Sequence, residues 1–387
     1  MSESLMRVRI NAAVRMIPPS ELVGDRWIAE NLLEKRRHRL RPPAAAALAA
    51  AFRPRTPDDL AAHLADADPL HRPAAYWSGL IEVLCDRALV VEESRAELDP
   101  RLAWLTGLRR SWSRHGWGEA AEYHALAYDY PCVDYSEAAG TYFDHDRMRA
   151  YQAVEPDLDR HKLDYLERPE LPLPAPAEGM TPGTVRTVWG GERLDGRADF
   201  AALSRILSLS FGATGERVPI TDAAPLLRRS SPSGGGRNPS EGYLIVRDVP
   251  GVEPGRYHVT MRPFGLRLLD DGGPLGDEDL RRIFPQTVRR FPGVRALVVI
   301  TSLFERNMYR YREPRTFRTV HMDAGHIAST VQLSARAMGL RAAVFDRDAA
   351  ADVEESLGLH GLREGYLLTV AISDGEPGPV TAPVTAR

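Results

Sequence analysis

The segment from Arg228 to Val259 constrains this chain most, because a glycine run leads directly into a short strand and a turn. It reads RRSSPSGGGRNPSEGYLIVRDVPGVEPGRYHV. Glycine lets the backbone adopt positive φ angles and approach a flat ligand closely, since no Cβ intervenes. Ser230, Ser231 and Ser233 add hydroxyl groups, and nearby arginines add fixed positive charge. The segment suits a ring system bearing a phosphate, although its composition alone also fits an ordinary flexible loop.

Length and composition limit the classes of protein that this chain can belong to. Its 387 residues exceed the ~250–300 at which a single core stops growing, so we expect two or more domains. A hydrophobic content of 43% is ordinary for a globular protein, and a net charge of −3 does not favour nucleic acid. Two cysteines, Cys85 and Cys132, make neither a disulfide framework nor a metal site, so we predict no metal.

Targeting signals are not evident in the sequence. No apolar run approaches the ~20 residues that a transmembrane helix needs. The first residues, MSESLMRVRINAAVRMIPP, lack the continuous apolar stretch of a signal peptide. We therefore predict a cytoplasmic protein without a membrane partner.

Three successive patterns divide the chain. Residues 1–98 combine a partly alternating strand pattern with three helical segments and a further strand, which predicts a winged-helix module. One of these helices is expected to start at the prolines of RPPAAAALAAAF, and another at Thr56 as N-cap, with Pro57 in the first helical position. Residues 99–176 are rich in Trp, Tyr and His and end in a proline-rich linker, so we predict a connecting region there. Residues 177–387 alternate strands and helices, which indicates an α+β domain.

A helix is predicted after Asp323. Ile327, Val331, Ala335 and Met338 recur at three- and four-residue steps and form one buried stripe, and Gly339 suits the helix end. The stripe itself indicates only a core helix.

Three ordered motifs together resemble the nitroreductase-like FMN flavoproteins, and in particular the SagB/ThcOx-type azoline dehydrogenases that modify peptides. The motifs are RSSPSGGGRNPSEGYLIV with GVEPGRYHV, FRTVHMDAGHIASTVQLSARAMGL, and LGLHGLREGYLLTVAIS. They cover roughly residues 185–375, and several motifs in the family's order are stronger evidence than any one of them. The resemblance implies an antiparallel-rich sheet flanked by helices, with FMN bound at a homodimer interface.

The resemblance also implies a set of cofactor-binding residues. Backbone N–H groups of the loop would tune the flavin, and arginines would face its phosphate because the guanidinium binds phosphate in a bidentate manner. Arg193 and Arg197 match the family's earlier phosphate anchor poorly, because no serine stands between them. The predicted FMN contacts are Arg228, Arg229, Ser231, Pro232, Ser233, Gly234, Gly235, Arg193 and Arg197.

The redox residues depart from the family's Lys-Tyr pair. The lysine position falls on Arg310 or Tyr311 in the segment ERNMYRYREPRTFR, which contains no lysine. Arginine stays protonated and cannot act as a base, whereas Tyr311 is a candidate acid or base with an unperturbed pKa of about 10. An alternative is that the tyrosines of this segment only pack. We also predict substrate contacts from Tyr257 and His326, although His326 could instead only orient the loop before its helix.

Several functions remain open at this stage. The first is FMN-dependent redox modification of a ribosomal peptide, by default azoline-to-azole dehydrogenation, with dehydroamino-acid reduction or oxidation of a peptide-bound tryptophan as alternatives. The N-terminal module would recruit a leader peptide, and other enzymes of the pathway are expected partners. A second hypothesis is a flavin-free recruiting subunit. A third, a DNA-binding regulator that uses the basic run at residues 34–41, is disfavoured by the acidic balance of the chain.

Overall fold

The computed structural model describes residues 6–21, 23–131, 133, 136–174, 196–217, 225–269 and 273–375. The chain divides into two compact units, Met1–Cys132 and Val133–Arg387. Both combine helices with antiparallel sheet, so the predicted α+β class is confirmed.

The first unit packs helices against short strands. Its strands are β1 (Val8–Ile10), β2 (Val14–Ile17), β3 (Trp27–Asn31), β4 (Arg36–Leu40) and β5 (Val90–Glu92). Its helices are α1 (Pro42–Ala50), α2 (Pro57–Ala67), α3 (Ala74–Asp86), α4 (Glu93–Leu98), α5 (Pro100–Ser113) and α6 (Gly118–Ala127). Strands β2, β3 and β4 form one antiparallel sheet, and β1 pairs with β5.

Local signals placed the helices of this unit correctly. The hydroxyl of Thr56 accepts a hydrogen bond from the N–H of Asp59 at 3.1 Å, so the predicted N-cap of α2 is confirmed. Prolines open α1, as its sequence predicts. The basic run lies in β4, an edge strand of the three-stranded sheet in the described part of the chain. The winged-helix assignment itself stays a prediction.

The second unit is built on a seven-stranded antiparallel sheet. Its strand order is β13-β14-β12-β9-β10-β11-β6. The strands are β6 (Glu170–Pro172), β9 (Ser240–Val246), β10 (Gly255–Met261), β11 (Phe264–Leu268), β12 (Ala296–Leu303), β13 (Arg341–Phe345) and β14 (Glu364–Ser373), with a separate hairpin of β7 (Ala213–Arg217) and β8 (Leu226–Arg229).

Helices cover both faces of this sheet. They are α7 (Ala138–Val154), α8 (Phe200–Phe211), α9 (Asp277–Ile283), α10 (Pro285–Arg290), α11 (Phe304–Met308), α12 (Thr316–Ala337) and α13 (Ala350–Ser356). Residues of α8 and α12 share one core with one face of the sheet, and residues of α9 and α13 share a second core with the other face. The predicted stripe of α12 is buried in the first core, and Gly339 follows the helix with φ +76°.

The compact units do not follow the predicted connecting region. Helix α7 precedes the proline-rich linker predicted at residues 167–183, and strand β6 lies within that linker, yet both belong to the second unit, and β6 pairs with β11. Residues 175–183 of the linker lie outside the described residues. The functional boundaries predicted after residues 98 and 176 stay predictions.

Two structural features are absent from the described residues. No helix there is long and apolar enough to cross a membrane. No group of three or more His, Cys, Asp and Glu side chains in the same part of the chain could hold a metal ion.

Candidate functional site

The glycine-rich loop joins β8 to β9 through a tight turn. Gly234–Gly236 form a single 3-10 turn, within which Gly235 has φ +60° and Gly236 has φ +67°. A Cβ added to Gly235 would lie 2.0 Å from the hydroxyl oxygen of Tyr311. Glycine is therefore required at position 235 both by its backbone conformation and by the approach of that tyrosine.

The loop is fastened to helix α12 by side-chain hydrogen bonds. The Asp323 carboxylate accepts from the N–H of Gly234 at 3.0 Å and from the hydroxyl of Ser233 at 2.8 Å. Burial raises the pKa of Asp323, and those two hydrogen bonds oppose the shift. Ser231 donates to the Thr330 hydroxyl at 2.9 Å. These bonds fix the loop on one helix and leave Pro232 and Gly235 exposed.

His326 also belongs to this contact. Its Nδ1 lies 3.2 Å from the carbonyl oxygen of Pro232, which can only accept, so Nδ1 carries the proton. The geometry is that of a residue that orients the loop, the alternative role considered from the sequence. A substrate contact by His326 stays a prediction.

The two arginines before the loop lie in different environments. Arg228 is exposed, whereas the guanidinium of Arg229 donates to the Ser240 carbonyl at 3.1 Å and lies over the Phe211 ring. Burial lowers the pKa of Arg229 to about 10, which still leaves the group cationic at neutral pH. Arg229 therefore supports the loop from below, and Arg228 is the one that faces solvent.

Other predicted contact residues lie away from the loop where the structure describes them. Arg197 is exposed and lies just before α8, and Arg193 lies outside the described residues. Tyr257 packs in the core beneath α8 and α12, and its hydroxyl donates to the Glu253 carbonyl at 2.8 Å. No contact in the described residues supports a substrate-binding role for Tyr257.

Tyr311 and Arg310, the predicted redox pair, adjoin the loop. The Tyr311 hydroxyl lies against Gly235, and the Arg310 guanidinium lies 5.4 Å from the centroid of the Tyr311 ring. Arg310 is ion-paired with Asp144 of α7. An ion-paired arginine cannot accept a proton, so within this pair only Tyr311 carries a group that could exchange one.

Charged residues beneath the loop were missed by the sequence analysis. Arg237, only 1% exposed, forms a bidentate ion pair with Asp157 at 2.7 and 3.1 Å. Glu241 contacts Arg306 at 2.7 Å and His258 at 3.1 Å. Burial opposes the ionisation of Glu241, but these two partners outweigh it and hold its pKa well below the usual range.

A second buried cluster lies nearby on the same face of β9. Lys162 donates to the Glu364 carboxylate and to the Tyr243 hydroxyl, both at 2.8 Å. Burial disfavours the ammonium form, but the adjacent carboxylate outweighs it and raises the pKa of Lys162. The pair joins residues 202 positions apart, so no local sequence signal could have revealed it.

An arginine-rich cavity of about 540 Å³ opens between α10 and the end of β13. Its lining residues are Gln286, Arg289, Arg290, Val344, Phe345, Asp346 and Arg347. Three guanidinium groups against one carboxylate favour an anionic ligand. The sequence analysis missed this site, because α10 and β13 are 50 residues apart in the chain.

The loop and the cavity suit two different kinds of ligand group. An exposed glycine backbone permits close approach of a flat ring, and convergent arginines suit a phosphate. The cavity volume lies within the roughly 300–1,000 Å³ of small-molecule sites. Since the loop is bound to α12 and the cavity to α10, they lie on opposite faces of the sheet.

Two relatives share extended sequence similarity with the chain. The trifolitoxin-processing protein TfxB of Rhizobium leguminosarum bv. trifolii is 25% identical over 300 residues, which cover 75% of this chain and 76% of TfxB. A protein of Methanocaldococcus jannaschii, provisionally assigned as a nitroreductase, is 36% identical over 141 residues. That match covers 36% of this chain and 63% of the relative.

Solved structures show a weaker likeness. A protein of Anabaena variabilis, provisionally assigned as a nitroreductase, superposes with a TM-score of 0.45 at 23% identity. The superposition covers 60% of this chain and 46% of that protein, and it carries no conclusion on function. No protein-family model matches the chain. Sequence similarity thus confirms the resemblance drawn from the motifs: the chain is similar to a provisionally assigned nitroreductase and to a trifolitoxin-processing protein.

Proposed function

We propose that this chain is an FMN-dependent oxidoreductase that modifies a peptide. One observation carries the proposal: the hydroxyl of Tyr311 lies against an exposed glycine-rich loop that is fastened to a rigid helix. A proton-transfer group thereby adjoins a surface suited to a flat ring. The similarity to TfxB supports a peptide as the substrate.

FMN, when bound, supplies two-electron redox chemistry by hydride exchange with an organic substrate. The backbone of the loop at Gly235 would line its ring, and the exposed Arg228 directly before the loop would hold its phosphate as a bidentate donor. The arginine-rich cavity would not hold the phosphate of the same molecule, because the loop and the cavity lie on opposite faces of one sheet.

A homodimer through α12 fits this arrangement. Met322 and Leu333 on the outer side of α12 are 60% and 50% exposed, and Gly325 and Ser329 between them allow close approach of another helix. The loop is bound to the same helix, so a second copy packed there would meet the loop.

Proton transfer falls to Tyr311. In a dehydrogenation the phenolate would accept a proton from the substrate carbon while hydride leaves to the cofactor, and in a reduction the phenol would donate one. Azoline-to-azole dehydrogenation is the default reaction. Dehydroamino-acid reduction and oxidation of a peptide-bound tryptophan remain alternatives, since Arg310 stands where the family has a lysine.

The first unit would recruit the substrate peptide. Strand β4 is an edge strand in the described part of the sheet, and Arg36, Arg37 and Arg39 on it are exposed. An extended acidic leader segment could add to this edge through main-chain hydrogen bonds. The chemistry would then occur on the second unit.

An absorption spectrum of the purified protein, with mass spectrometry of the released ligand, tests the cofactor. We expect a yellow protein that releases FMN. Arg228→Gln should weaken FMN binding roughly 10- to 100-fold, because it removes a charge-assisted hydrogen bond. Arg281→Gln is the matched control, since Arg281 is an exposed arginine of α9, which packs on the other face of the sheet. A colourless protein that takes up no added FMN would refute the proposal and favour the recruiting subunit.

Light scattering tests the dimer. Leu333→Asp should yield monomers and release FMN, whereas Leu362→Asp, at a leucine that is 89% exposed elsewhere, should change neither. A dimer that survives Leu333→Asp would exclude α12 as the interface. Incubation of the holoenzyme with candidate peptides would then show the loss or gain of two hydrogen atoms by mass spectrometry.

A further inference from the structure

Tyr311 lies in an irregular segment, where the backbone alone does not set its side chain. Helix α11 ends at Met308, and Tyr311 follows a turn in which its N–H donates to the Asn307 carbonyl at 3.1 Å. Its own carbonyl accepts from the N–H of Glu313 at 2.8 Å. Side-chain contacts must therefore hold the ring in the orientation that brings its hydroxyl to Gly235.

Those contacts lead to a buried carboxylate on α7. The Arg310 guanidinium lies over the Tyr311 ring and is ion-paired with Asp144, which is only 3% exposed. The other carboxylate oxygen of Asp144 accepts from Arg147 at 2.8 Å. A buried carboxylate held by two guanidinium groups is a fixed point, because any movement would leave a charge unpaired.

The same helix and the residues after it contact the Tyr311 segment at further points. Glu155 is ion-paired with Arg312, and its carbonyl accepts from the Tyr309 hydroxyl at 3.0 Å. Asp157 binds Arg237 at the end of the glycine-rich loop. Carboxylates of residues 144–157 thus hold both the loop and the segment that carries Tyr311.

We propose that Asp144 is a positioning residue, which acts through Arg310 to set the Tyr311 hydroxyl against the glycine-rich loop. The proposal deepens the proposed function, since it rests on Tyr311 as the proton-transfer group there. It assigns α7, which precedes the linker in sequence, to the reaction site.

Fluorine NMR of protein labelled with fluorotyrosine tests this without cofactor or substrate. The chain has 13 tyrosines, and the resonance of Tyr311 is the one lost in Tyr311→Phe. Asp144→Asn should move the Tyr311 resonance while most other tyrosine resonances stay in place, and Asp144→Glu should restore it partly. Asp146→Asn is the matched control: the same substitution on the same helix, at a side chain that is 79% exposed.

A second variant covers the case in which Asp144→Asn does not fold. Arg310→Met removes the intermediate cation but leaves Asp144 paired with Arg147, so it should fold and should also move the Tyr311 resonance. The proposal is overturned if the Tyr311 resonance stays in place in either variant, or if Asp144→Asn moves all the tyrosine resonances alike. The fluorine resonance can be measured without bound flavin. A colourless protein would therefore refute the proposed function, whereas the role of Asp144 could still be tested.

Discussion

Gly235→Ala should destabilise the second unit by about 3 kcal/mol. Two costs add: an L-residue in the left-handed region costs roughly 1–2 kcal/mol, and overpacking of a filled site costs roughly 1–3 kcal/mol. The backbone at Gly235 has φ +60°, and the new Cβ would lie 2.0 Å from the Tyr311 hydroxyl oxygen and 2.9 Å from a ring carbon. The clash is costly because Tyr311 is held in place by Arg310.

Gly236→Ala is the matched control for this substitution. Gly236 has nearly the same backbone angle, φ +67°, but its added Cβ would meet Leu226 only at 3.6 Å, an ordinary contact. It should therefore cost only the conformational part, about 1–2 kcal/mol. The difference between the two variants measures the contact with Tyr311.

Native-state hydrogen exchange of the central strands β9 and β12 measures the free energy of unfolding of the second unit separately from that of the first unit. In a Tyr311→Ala background the excess cost of Gly235→Ala should vanish, since a double-mutant cycle isolates the pairwise contact. If Gly235→Ala and Gly236→Ala cost the same within about 0.5 kcal/mol in the parent protein, the argued approach of Tyr311 to the loop is refuted.

Three further predictions test other features. Lys162→Met should lower the free energy of unfolding, measured by the same hydrogen exchange, by about 3–5 kcal/mol, because it leaves the Glu364 carboxylate buried without its ion-pair partner. The double variant Lys162→Met/Glu364→Leu should recover part of that loss. Because the pKa of Glu241 is depressed in the folded protein, its ion pairing stabilises the fold fully above the unfolded pKa of about 4.3, and this stabilisation is lost as the pH falls below that value. The free energy of unfolding should therefore fall less steeply with acidification in Glu241→Gln than in the parent protein. An equally steep fall would contradict the ion pairing. Thr56→Ala should cost about 1 kcal/mol in chemical denaturation of the first unit, whereas Ser78→Ala, an exposed hydroxyl inside α3, should cost far less.

Local signals predicted the regular elements well. The cap at Thr56, the proline start of α1 and the buried stripe of α12 depend on residues within a few turns of each other, so sequence spacing suffices to place them. The positive φ angles of Gly235 and Gly236 also agree with the sequence analysis, because glycine adopts such angles without a steric clash.

Long-range pairing was beyond the reach of the sequence analysis. Asp144 pairs with Arg310 across 166 residues, and arginines of α10 meet the end of β13 only through the folded sheet. In the sequence such residues are indistinguishable from solvated surface charges, since charge alone does not indicate burial. The assignment of α7 to the second unit has the same origin.

The sequence by itself thus determined the α+β class, the core helix and the glycine-rich loop, because these follow from local backbone chemistry and hydrophobic periodicity. Only the tertiary structure decided that Arg229 supports the loop from below, that Tyr257 belongs to the core, and that Asp144 holds Arg310. The physical reason is that the energy of a charge or a phenol depends on its burial and its partners, which exist only once distant strands and helices have packed.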